Sequence, residues 1–271
     1  MSWDPAARDA ERALEAAYPG VPRHLFRPLW SWVEDCFRDS TALMRNVLIY
    51  LRIESTDPTR GQSAFREAIR DVAAKCDDSP TMLLDLAQAI LRHREPGNAT
   101  RGELDALLAS ANSMYCVSRN LHDLESRVDP AVRDQVQAVV DNAPANASEH
   151  LRKAWAEAYG RGGDPGEAVR HAVKAVEAVA IPVVEPNNGK ATLGTVLGAL
   201  GGGNRKLNFV VAGKTHDGGD TVRQMMALVW DGNTSRHEGN APVVAESPEQ
   251  ARAIVHLAAT VVQLFVSGAV S

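Results

Sequence analysis

Arg236 and His237 stand side by side in a polar, glycine-punctuated loop, Trp230-Asp-Gly-Asn-Thr-Ser-Arg-His-Glu-Gly-Asn240, between two strongly apolar segments of helical period. An imidazole exchanges protons near neutral pH, a guanidinium holds phosphate charge, and glycine lets backbone come close to a ligand. From position 190 to 237 the chain carries Lys190, Arg205, Lys206, Lys214, Arg223 and Arg236 against Asp217, Asp220 and Asp231. Such a local positive excess around a histidine suits a phosphodiester backbone. A hydrogen-bonded histidine among solvated charges is the commoner meaning of a loop like this one.

Other chemistries find less support. Gly213-Lys214-Thr215 has the end of a phosphate-binding loop, but position 208 is Asn where that motif needs glycine. Phe209, Val210, Val211 and Ala212 fill what would have to be an open turn, which argues against nucleoside-triphosphate hydrolysis. The eight histidines form no HxxxH or HExxH pair, so neither a metal nor a cofactor is expected. Trp30 and Trp32 read as core or interface residues at helical spacing.

The elements that must position the loop are helical. An acidic or hydroxyl residue followed by proline recurs at Asp4-Pro5, Asp57-Pro58, Ser79-Pro80, Asp129-Pro130, Asp164-Pro165 and Ser247-Pro248. The side chain caps free N–H groups, and proline stands where its missing N–H costs nothing. Glu167 and Gln250 complete expected capping boxes after the last two. Apolar periodicity predicts helices near 4–18, 24–37, 40–53, 62–76, 80–93, 101–113 and 130–142, then near 148–159, 165–181, 190–200, 219–230 and 248–267. The stripe in the 165–181 helix closes at Ile181-Pro182, and the run from Leu207 to Ala212 is either a short strand or a helical turn.

An all-α protein follows, with a joint at Asp141–Ala147 dividing an N-terminal helical domain, 1–145, from a C-terminal helical domain, 146–271. The formal net charge of −5 comes from the first part, which holds 17 basic and 22 acidic residues, whereas the second holds 12 of each. Neither part is a general nucleic-acid binder by charge alone. Three cysteines without CxxC spacing, no secretory leader, and an apolar stretch at 253–270 broken by His256 and Gln263 lead to an expected cytoplasmic protein outside the membrane.

From about Ser148 to the C-terminus the chain resembles the C-terminal domain of abortive-infection-like proteins in the HEPN superfamily. The resemblance rests on the helix pair Glu149–Tyr159 and Asp164–Ala180 with Lys174-Ala-Val-Glu177, and on Asn187-Asn-Gly-Lys-Ala-Thr-Leu193. The apolar helix ending at Trp230, the Arg236-His237-Glu238-Gly239 loop and the long final helix complete it. It implies a helical bundle, homodimerisation and antiviral defence through metal-independent RNA cleavage. His237 would then be the general acid/base, and Arg236 or Arg223 the phosphate-stabilising cation, with Lys190, Arg205, Lys206 and Lys214 along the RNA. In that family an Arg precedes the His by four to six intervening residues; here Trp230, Asp231 and Gly232 occupy those places. The alternative is a non-catalytic interaction protein whose bundle dimerises while residues 1–145 bind a protein partner.

Overall fold

In a computed structural model the described residues are 17–93, 98–120, 122–203, 205–211, 213, 217–232 and 246–271. Among these residues the fold is all-α apart from one two-stranded ribbon, and the chain forms two compact units, Met1–Arg127 and Val128–Ser271.

The first unit is built on α1 (Arg23–Asp39), α2 (Thr41–Tyr50), α3 (Gln62–Asp78), α4 (Met82–His93) and α5 (Asn98–Ser110). Its centre is α4, where Leu83, Leu84, Leu86, Ala87, Ala89, Ile90 and Leu91 are all buried. A helix apolar around most of its circumference must be packed on several sides, and α1, α2 and α3 supply that packing. Trp32 is buried with its indole N–H donated to the Thr100 carbonyl at 3.0 Å, so it is committed to structure. The ribbon has no counterpart among the predicted elements: β1 (Tyr115–Val117) pairs antiparallel with β2 (Leu124–Ser126), Cys116 opposite Glu125. Gln88 of α4 holds it, donating to Asp123 Oδ1 at 2.7 Å and accepting from the Leu124 N–H at 2.7 Å.

The second unit holds α6 (Pro130–Asn142), α7 (Ala145–Tyr159), α8 (Pro165–Val184), α9 (Leu193–Gly201), α10 (Gly218–Asp231) and α11 (Pro248–Val266). The expected division at 145/146 placed α6 with the first part. Val136, Val139 and Val140 of α6 instead join the second unit's core, because that apolar face packs on α7 and α11. The central helix is α8, with nine buried residues and neighbours α7, α9, α10 and α11. It continues past Pro182 to Val184: the proline lies in the last turn, and Val184 is itself buried.

The predicted start signals divide into those that cap and those that do not. Asp129 and Asp164 accept backbone N–H groups at the starts of α6 and α8, and Ser247 with Gln250 forms the expected capping box on α11. At α8 the box is not made, since Glu167 turns to Arg170 while Glu157 accepts the Asp164 N–H at 2.9 Å. Asp57 caps only the 3-10 turn Pro58–Arg60, and the Ser79 hydroxyl meets that of Thr81. Asp4 lies outside the described residues.

Two contacts fix the ground on which the expected site stands. Glu177, half-buried on α8, accepts the Leu193 N–H at 2.8 Å and thereby ties down the first turn of α9. Burial raises its carboxyl above the usual range. The stretch around Phe209 is extended: Asn208 and Ser271 exchange backbone hydrogen bonds at 2.8 and 3.0 Å, and the Val210 N–H reaches the Ala269 carbonyl at 3.0 Å. The C-terminal residues therefore pin the connection between α9 and α10 as a short bridge.

Candidate functional site

Three of the expected cations meet at the junction of α9 and α10. Arg205, Lys206 and Arg223 line a cavity of about 140 Å³ together with Leu200, Leu207, Asp217, Gly219 and Asp220. Local sequence explains how they meet. Gly203, at φ +74°, reverses the chain after α9, and Leu207 buries its side chain. The Leu207 carbonyl then lies against Gly219, where an added Cβ would sit 2.1 Å from the oxygen. Only glycine at that position lets the connection close onto the first turn of α10, bringing Arg205 and Lys206 beside Arg223.

Asp217 caps α10 by accepting the Asp220 N–H at 3.1 Å, and Asp220 in turn accepts from Arg223 Nε at 2.7 Å. The Arg223 hydrogen bond is the main reason that the Asp220 carboxyl lies below its ordinary pKa. With three cations and two carboxylates the cavity keeps one positive charge in excess, at a helix N-terminus whose dipole has the same sign. It can hold an anion of modest charge. Lys190 stands elsewhere, exposed in the turn before α9 with its backbone N–H on Asn188 Oδ1 at 3.2 Å. His237, Arg236 and Lys214 lie outside the described residues. The helix leading to their loop is firmly seated, for the Trp230 indole occupies the space over Gly194 of α9.

Sequence reasoning missed a second polar cluster. Tyr159, only 6% exposed, shares a 2.6 Å hydrogen bond between its hydroxyl and His256 Nε2. Trp155 stacks on Tyr159 at 4.2 Å between ring centroids, and the Arg252 guanidinium lies 5.2 Å from the Tyr159 ring centre. Arg252 also donates from Nε to the Ala158 carbonyl at 3.2 Å. Burial holds the His256 pKa below the histidine range and raises that of Tyr159, which favours the neutral form of both partners in this hydrogen bond. Beside them His256 enters a groove of about 470 Å³ between α6 and α11. In the sequence, His256 is visible only as a break in an apolar stretch. The usable signal was the pairing of Trp155 with Tyr159 and of Arg252 with His256, each at i,i+4.

These histidines give stability a definite pH dependence. His150, His171 and His256 all titrate below the ordinary histidine value, chiefly because burial disfavours the cation. Just below that value, about 6.5, the unfolded chain binds more protons than the folded one. Their contribution is therefore full above about pH 7 and declines as pH falls through the histidine range. The expected result is a thermal midpoint that drops between about pH 7 and pH 5, with a shallower drop in His256→Gln; calorimetry across that interval checks it.

No family model matches the chain, and neither does any curated protein or solved structure. Among the described residues, no helix is long and apolar enough to cross a membrane.

Proposed function

We propose that the second unit binds RNA through its phosphodiester backbone at the Arg205–Lys206–Arg223 cavity. The His237 loop, entered directly from α10, then supplies the acid/base of a metal-independent, HEPN-type ribonuclease of antiviral defence. The observation that carries the reading is the convergence of three cations from two stretches of sequence on one cavity at the start of α10. A bound phosphate takes the place of Asp220 on Arg223. That exchange costs little, because a solvent-screened ion pair on a helix surface is weak. The roles divide by chemistry. Arg205, Lys206 and Arg223 hold the backbone, Arg236 or Arg223 meets the charge that grows on the phosphorane, and His237 moves the proton.

The test is incubation of a mixed RNA pool with the purified chain in EDTA, alongside His237→Ala after both are shown to be folded. Cleavage by the wild type is expected, with loss of at least about a hundredfold in the variant, the usual worth of a general acid/base. RNA that is bound but left intact would instead support the non-catalytic reading. Cleavage that persists in the variant would remove His237 from the mechanism.

A further inference from the structure

On the second unit, α7 and α8 bring two imidazoles together. His150 Nδ1 and His171 Nδ1 are 3.0 Å apart, with the rings stacked at 5.2 Å and an interplanar angle of 29°. At that separation one nitrogen must donate and the other accept, so the pair is satisfied with a single proton between the two Nδ1 atoms. A proton on each would set N–H against N–H, break the bond and leave two donors in need of an acceptor.

The surroundings favour an anion as that acceptor. Burial is the main influence that holds both rings below the histidine range, and Lys174, Lys153 and Arg170 add repulsion, opposed by Glu149 and Glu167. Two of those cations are engaged: Lys153 pairs with Glu149 at 2.6 Å, and Arg170 pairs with Glu167. The Lys174 charge acts on the His150 imidazole and also on the half-buried Glu177 carboxyl, three residues along α8. The strongest charges on the rings all come from α7 and α8 themselves, and none from α6, α9, α10 or α11, which also pack on these helices. No third histidine, cysteine or carboxylate completes a metal-binding group there among the described residues.

We infer that His150, His171 and Lys174 form a proton-gated site for a tetrahedral oxyanion, the phosphate of a nucleic-acid backbone or a free phosphate. Near neutral pH the pair closes on its own hydrogen bond. On acidification the second proton enters only together with an anion, whose oxygens accept from both rings while Lys174 balances the charge. The site is separate from the Arg205–Lys206–Arg223 cavity and does not depend on the ribonuclease reading.

Two probes of constant charge between pH 5 and 8 test it on the full chain: inorganic sulfate and a uridine dinucleotide. Binding is measured calorimetrically at pH 5.5 and 7.5, and the imidazole nitrogens are followed by nuclear magnetic resonance. Sulfate is expected to bind at least about tenfold more tightly at the lower pH, the limit being tenfold per pH unit for each proton taken up. It is also expected to raise the apparent pKa of both histidines. His171→Asn and Lys174→Ala each abolish the effect, whereas the double variant Arg205→Ala/Lys206→Ala retains it. If the dinucleotide reproduces the sulfate result, the site takes backbone phosphodiesters; if sulfate alone does so, it takes free oxyanions. Binding without pH dependence, binding unchanged in both His171→Asn and Lys174→Ala, or no binding at either pH overturns the proposal.

Discussion

With Lys206 and Arg223 both replaced by alanine, the chain is expected to bind single-stranded RNA at least about tenfold more weakly at low salt. The slope of log affinity against log salt should fall by about 1.4, since each single-strand phosphate contact contributes about 0.7. Lys206 is exposed, and Arg223 makes only a surface pair with Asp220, so folding should be nearly unchanged. Arg223→Ala alone is expected to cost more than Lys206→Ala alone. Removing the guanidinium also uncovers the Asp220 carboxylate at the cavity, where it repels phosphate. Lys190→Ala, a change outside the cavity lining, should alter affinity less than about twofold. Anisotropy titrations of a labelled oligonucleotide at several salt concentrations measure both the affinity and the slope.

Gly219→Ala carries the second large effect, although it changes no charge. Its Cβ would lie 2.1 Å from the Leu207 carbonyl oxygen, which is backbone and cannot turn aside. Either α10 moves away or the connection carrying Arg205 and Lys206 lifts off it. The cost is expected to be about 3 kcal/mol, at the upper end for overpacking a well-filled core. Whatever folded protein remains should bind RNA as weakly as the double variant, because the three cations no longer meet. Gly198→Ala is the matching control: Gly198 lies within α9 and an added Cβ meets nothing within 4 Å, so the change is expected to be neutral or slightly stabilising. Chemical denaturation, followed by RNA titration under folding conditions, checks both variants.

The helices were legible because period and caps agree with burial. Leu25, Leu29 and Val33 repeat on one face of α1, and the Ser247-Pro248 start with Gln250 forms the box that its spacing implied. The β1–β2 ribbon was not legible. Three-residue strands carry too little alternation, and what holds them is Gln88, which sits on a helix far back in the chain. The extent of the second unit was misread for a related reason. The small-residue joint after Asp141 is only a turn between α6 and α7, and the valines of α6 are committed by packing that the local sequence does not show.

For the candidate site, charge excess marked six cations between Lys190 and Arg236 without showing that Arg205, Lys206 and Arg223 line one cavity or what brings those three together. That depends on a carbonyl seated against Gly219 and on a backbone bridge to Ser271 at the other end of the chain. The contacts that join the clusters around His256 and His150 were not legible for the same reason. Each joins residues on two helices that become neighbours only on folding.

The most direct measurement of the central claim is the affinity of the unmodified full chain for labelled single-stranded RNA, in EDTA, over a range of salt concentrations. Saturable binding that weakens linearly in log affinity against log salt, and that the Lys206→Ala/Arg223→Ala variant loses in strength and slope together, is the predicted result. Absence of binding at the lowest salt, or binding that neither salt nor the double variant changes, would contradict it.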